Sequence, residues 1–179
     1  DTQNLHDKMA RTASGRRLIA TDSVFSMDGD CAPLADLATV AERADAWLLV
    51  DDAHGFGTMG ATGMGTGEHF GVQDKIDLYF STFAKSMASI GAFLAGNKDV
   101  IQFMKYNMRS QMFAKSVPMP IVIGALKRLE MLRTMPELRM NLWRNVSALQ
   151  NGLKDRKAPL DRRRRQVGRR QDNDPWRAR

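Results

Sequence analysis

Cysteine is almost missing. Cys31 stands alone among the 179 residues, so no internal disulfide can form and no thiolate cluster can hold zinc. That scarcity suits a reducing compartment, and a cytoplasmic location is expected. No run approaches the roughly 18 apolar residues that span a bilayer, so no transmembrane segment is expected, and no cationic-then-apolar leader opens at Asp1. Internal repeats are absent as well. The glycines between Gly55 and Gly67 are too irregular for a dinucleotide fingerprint and lack a P-loop lysine, which leaves them as backbone punctuation and not as a nucleotide cradle.

What is present fits one globular domain or part of a larger one, since 43% hydrophobic and 26% charged residues lie near soluble averages. The net charge of +7 invites a nucleic-acid reading, so its location decides its meaning. Residues 157–179 hold one Lys and eight Arg against three Asp, a net of +6, which leaves the other 156 residues at +1. The basic character belongs to a tail whose aliphatic residues almost vanish after Arg156. Such a stretch cannot bury enough to fold. It reads as a disordered basic tail, as a patch for RNA or an acidic surface, or, fitting the abrupt break better, as a change of reading frame near residue 157. No nucleic-acid partner is expected for the body.

From Arg17 onward, short β-rich apolar runs alternate with amphipathic stretches, the pattern of parallel strands joined by crossover helices. The fold class is α/β, a mostly parallel sheet with flanking helices. Strands are expected at 18–21, 47–51, 76–80 and 92–95. Helices are expected after Pro33, where Leu34, Leu37, Val40 and Ala41 recur at helical spacing, from about Asn97, and at 121–135 and 137–156. The domain layout is accordingly a partial large domain at 1–135, a helix at 136–156 leading out of it, and the basic tail at 157–179.

Three clusters follow predicted strands, where open α/β sheets put their ligands. The first is Asp51-Asp52-Ala53-His54-Gly55-Phe56-Gly57. By itself it reads as two loop acids capping a helix, or as a metal site of Asp51, Asp52 and His54 that no further ligand-rich motif supports; no metal is expected. The second is Ser81-Thr82-Phe83-Ala84-Lys85-Ser86, a lysine among hydroxyls and small residues. Most lysines are only surface charges, but a partly desolvated amine has a lowered pKa and suits Schiff-base formation with an aldehyde. Hydroxyls of Ser81, Thr82 and Ser86 are of the kind that accompany a phosphate. The third is Asp22-Ser23-Val24-Phe25-Ser26-Met27-Asp28-Gly29-Asp30, which alone is a turn rich in Asp and Gly.

Taken in order, these clusters resemble the α-oxoamine synthase family of fold-type I (aspartate aminotransferase-like) pyridoxal-phosphate (PLP) enzymes. Residues 22–30 are similar to its "DSVFSMDGD" element, 50–57 to "VDDAHGFG", and 81–92 to its "GTFSKALGSIGG"-like lysine segment. Residues 113–118 are similar to "FSxSxPP". The likeness runs from near Asp1 to about Arg156, with Ala92 where many members have glycine.

The resemblance implies that the chain is part of the large PLP-binding domain. Lys85 would bind the cofactor covalently and act as the base, and Asp51 would pair with the pyridine nitrogen. His54 and Ser26 would contact the phenolic oxygen, and Thr82 the phosphate. Ser116 would reach the phosphate from the neighbouring subunit, which implies a homodimer with a shared site. The implied reaction condenses a small amino acid (glycine, serine or alanine) with an acyl-CoA thioester to an α-oxoamine, usually with decarboxylation. The family's ring-stacking histidine and carboxylate-binding arginine have no counterpart here, so the 179-residue chain alone is expected to be inactive. Rival readings are another fold-type I enzyme such as an aminotransferase, a non-catalytic remnant, and a basic nucleic-acid-binding chain.

Overall fold

In the computed structural model the described residues are 2–11, 15–114 and 116–155; the arginine-rich stretch 157–179 lies outside them. The chain opens with α1 (Thr2–Arg11), whose Leu5 and Met9, four residues apart, pack against the core. Then come β1 (Arg17–Asp22), α2 (Leu34–Arg43), β2 (Ala46–Asp51), the short α3 (Thr66–His69), a 3-10 turn (Gln73–Lys75), β3 (Leu78–Thr82) and β4 (Ala92–Gly96). Four helices follow: α4 (Lys98–Asn107), α5 (Arg109–Phe113), α6 (Met119–Thr134) and α7 (Pro136–Asp155). Contacts divide the chain after Arg139, within α7, into a first unit that holds the sheet and a second that begins at Met140. No helix among the described residues is long and apolar enough to cross a membrane.

The strands lie in chain order, β1-β2-β3-β4, with β1, β2 and β3 parallel and β4 antiparallel to β3. An antiparallel neighbour needs no crossover helix, and the β3–β4 connection is therefore the short loop that carries Lys85. Strand β3 begins two residues later than its apolar pattern suggests. Asp77 turns its Oδ2 to the Leu48 amide at 2.8 Å, and the ladder extends instead through Ser81 and Thr82, which pair with Phe93 and Ala92.

Alternation along β2 separates the two faces of the sheet. Ala46, Leu48 and Val50 point to one face and are buried beneath Leu34, Leu37, Ala38, Val40 and Ala41 of α2. Trp47, Leu49 and Asp51 point to the other, where Leu18 of β1 (53% exposed) sits beside Trp47 (47% exposed) in register. Pro33 stands at the start of α2, where its fixed φ favours a first turn, and its carbonyl accepts from the Leu37 amide at 3.0 Å.

Candidate active site

The parallel register brings the carboxyl ends of β1, β2 and β3 to one edge, with Asp22 beside Asp51 and Asp51 beside Phe80. Thr82, two residues beyond Phe80, therefore points to the same face as Asp51. The turn with Ser26 leaves this edge from β1, closed by Phe25 N–H to Asp30 O and Gly29 N–H to Phe25 O, each 2.8 Å. His54 leaves it from β2 in the first turn of the glycine-rich loop. Lys85 leaves it from β3. The six residues marked out in the sequence thus fall into a group of five at the strand ends, Ser26, Asp51, His54, Thr82 and Lys85, and an outlier, Ser116. Ser116 is exposed in the connector between α5 and α6, although its neighbour Val117 borders Gly91 of the lysine loop.

The two adjacent acids have opposite environments because successive strand residues face opposite ways. Asp51 is half-buried and accepts one hydrogen bond, from the Ala53 amide at 3.0 Å; its other oxygen has no partner among the described residues. Asp52 is fully buried and accepts four: from Ser23 Oγ, from the Thr66 amide at 2.8 Å, from Thr66 Oγ1 at 2.8 Å and from Tyr79 OH at 2.6 Å. Burial first, then the charge of Asp52 and its hydrogen bond, then the charge of Asp51, hold the Tyr79 phenol far above its ordinary range, so it stays a donor. The Thr66 amide opens α3, so Asp52 does cap a helix, and its engaged oxygens leave nothing for a metal. Among the described residues no three His, Cys, Asp or Glu side chains converge.

The irregular glycines acquire a purpose here. Gly65 has φ +108 and passes so close to Asp52 that any β-carbon would collide with its carboxylate and with Tyr79. The loop wraps an acid, and it is tied down at its tip by Arg139, which donates to the carbonyls of Ala61 at 2.6 Å and Thr62 at 3.1 Å. Tyr79, Thr66 and Arg139 were not singled out by sequence, and Asp52 was read only as a helix-capping acid or a metal ligand. Only the paired acids at a strand end gave a signal, since alternation requires one of them to face the core.

The loop with Lys85 is a closed turn. Phe83 N–H donates to Gly91 O at 2.9 Å, Ser89 N–H to Phe83 O at 2.8 Å and Ala88 N–H to Lys85 O at 3.0 Å. Thr82 Oγ1 donates to Gly91 O at 3.1 Å and accepts from the Ala84 amide at 3.1 Å, so its proton holds the loop base and only a lone pair remains. Lys85 is exposed, and its ammonium has no hydrogen bond or ion pair among the described residues. Phe93 of β4 stacks on Phe83 at 5.6 Å and meets Phe56 edge-on at 5.2 Å, which packs the lysine loop against the loop of His54. Ser86 Oγ is buried against Gly57 without a hydrogen-bond partner among the described residues.

Ala88 takes φ +42 in this turn, a left-handed conformation that costs an L-residue about 1–2 kcal/mol. Ala88→Gly removes that strain and adds about 0.4–1 kcal/mol of unfolded-state entropy. The expected net is a gain of about 0.5 kcal/mol, read as a thermal midpoint about 1–2 °C higher. A lower midpoint would show instead that the Ala88 methyl makes a stabilising contact.

A mostly parallel α/β sheet with its polar chemistry at the strand carboxyl ends, and a lysine on a tight loop there, is the large-domain architecture of fold-type I PLP enzymes. Residues 1–165 match the family of class I and II aminotransferases, and the chain belongs to that family. It is 60% identical over 149 residues to a cysteate-C-fatty acyltransferase of Capnocytophaga ochracea, covering 83% of this chain and 36% of that protein. It is 45% identical over 148 residues to a serine palmitoyltransferase of Sphingobacterium spiritivorum, covering 82% and 37%. A solved structure of SPT with a PLP internal aldimine superposes with a TM-score of 0.83 at 33% identity, over 87% of this chain and 39% of that one. The chain thus spans well under half the length of these relatives.

Proposed function

We propose that this chain is part of a PLP-dependent acyltransferase of the α-oxoamine synthase type, which joins an amino acid to an acyl-CoA thioester. The observation that supports this most is the meeting of Asp51 and the Lys85 loop at one sheet edge, each with an uncommitted functional atom. The donor set fits the cofactor: a carboxylate oxygen without a protein partner for the ring nitrogen, an amine without an ion pair for the aldehyde, and hydroxyls nearby. When bound, PLP supplies an electron-withdrawing ring that acidifies the substrate Cα–H.

The residues divide the remaining work. Asp51 keeps a proton on the ring nitrogen, because a carboxylate beside a cation favours its charged form. Lys85 would hold the cofactor through its aldehyde, and its amine, when free, would take the Cα proton at Nζ. His54 and Ser26 orient the phenolic side of the ring. Thr82 contributes its remaining lone pair and Ser116 its hydroxyl near the phosphate. Ser116 acts across a homodimer interface, and the enzyme works in the cytoplasm.

For the amino acid, the 60% identity to an enzyme named for cysteate favours a three-carbon substrate with a polar β-substituent, cysteate before serine, over glycine or alanine. In the intact protein supplied with PLP and palmitoyl-CoA, cysteate or serine is expected to release CoA thiol, counted with a thiol reagent. Keto-acid formation without thiol release would replace this reading with an aminotransferase.

A further inference from the structure

We propose that Asp52 is the positioning residue of this site: its carboxylate ties the segment after β1 and the glycine-rich loop to β3, and so fixes the aim of its chain neighbour Asp51. The inference rests on the function proposed above and adds a residue that never meets the ligand. Its partners come from three separate segments. Ser23 follows β1, Tyr79 lies on β3, and Thr66 opens α3 at the far end of the loop. The backbone repeats the pattern: Asp52 N–H donates to Phe80 O at 2.8 Å, Ser23 N–H to Asp51 O at 2.8 Å, and Ser81 Oγ to Asp52 O at 3.3 Å. With Ser81 and Phe80 held in this way, the start of the lysine loop is fixed relative to Asp51.

The chemistry of the partners requires a carboxylate. Each of the four contacts to the side chain is made by a donor, and a carboxylate only accepts, whereas an amide would turn an N–H₂ toward donors at a fully buried position. Asp52→Asn is therefore expected to unfold the region and is a poor probe. Tyr79→Phe and Ser23→Ala each remove one donor and leave the acid and the backbone in place. Val40→Ala, in the α2 layer away from the strand ends, serves as a control that weakens packing alone.

Three readouts in the intact protein separate positioning from mere support: the PLP dissociation constant, the pH midpoint of the bound-cofactor absorbance band, and turnover against KM for acyl-CoA. Tyr79→Phe is expected to weaken PLP binding about tenfold, to move the midpoint by about half a pH unit, and to lower kcat about tenfold with KM within about twofold. Val40→Ala is expected to lower the thermal midpoint without moving these three. If Tyr79→Phe does not fold, Ser23→Ala carries the same comparison. The proposal is overturned if the variants lose stability as Val40→Ala does but keep wild-type affinity, midpoint and kcat, or if neither folds, since the network is then only a staple. A wild-type protein that binds no PLP overturns the functional reading along with it.

Discussion

Lys85→Ala is expected to lower amino acid–acyl-CoA condensation by the intact protein about 10³-fold or more, because it removes both the covalent hold on the cofactor and the base for the Cα proton. A rate effect alone would be ambiguous, so the site of attachment is the sharper measurement. Borohydride reduction of the PLP-loaded wild type, followed by peptide mapping, is expected to mark Lys85. Other lysines offer themselves as exposed amines, but none among the described residues shares an edge with Asp51: Lys75 pairs with Glu42 at 3.4 Å, and Lys105 lies over the Tyr106 ring on α4. Lys85→Arg keeps the charge yet cannot form a carbon–nitrogen double bond to the aldehyde, and it should be as inactive as the alanine variant. Label found on Lys75 or Lys98 in place of Lys85, or appreciable turnover in Lys85→Arg, would remove the lysine from its assigned role.

Gly65→Ala is the substitution expected to cost the most stability. The residue sits at φ +108, and its β-carbon would collide with Asp52 and Tyr79. With ψ at −160 the backbone lies in a region almost reserved for glycine, and strain contributes about 1–3 kcal/mol. Displacing a buried, fully hydrogen-bonded carboxylate adds about 3 kcal/mol or more. Against a total stability of about 5–15 kcal/mol, the sum lowers the thermal midpoint by about 10 °C or more, or prevents folding. Gly71→Ala is the matched comparison, with φ +67 and nothing within 4 Å of the added carbon, so it should lose only the strain. Equal midpoints for the two variants would show that the loop yields and that Asp52 is not enclosed as described.

Several parts of this arrangement were open to reading in the chain itself. Apolar runs ending at Thr21, Asp51 and Phe80 mark strands whose carboxyl ends share an edge, although β1 and β3 run on to Asp22 and Thr82, and the spacing of Leu34, Leu37, Val40 and Ala41 marks the helix that covers them. The likeness of four ordered segments to a PLP family supplied the chemistry that composition could not. Other parts needed the fold. α1 is polar enough to pass unnoticed, since only Leu5 and Met9 reach the core. The reversal of β4 depends on the Lys85 loop closing on itself, a matter of hydrogen bonds between Phe83, Ser89 and Gly91 that no periodicity records.

The amino-acid sequence determined which residues are candidates for chemistry and which strand ends hold them, because alternation, turn residues and a lysine set among hydroxyls are local properties of a chain. Tertiary structure alone decided how the two neighbouring acids divide their tasks. Asp51 and Asp52 are chemically identical side chains, and what separates them is which face of β2 each meets: one face gathers donors from Ser23, Thr66 and Tyr79 brought in from distant segments, and the other leaves a carboxylate oxygen uncommitted beside the Lys85 loop.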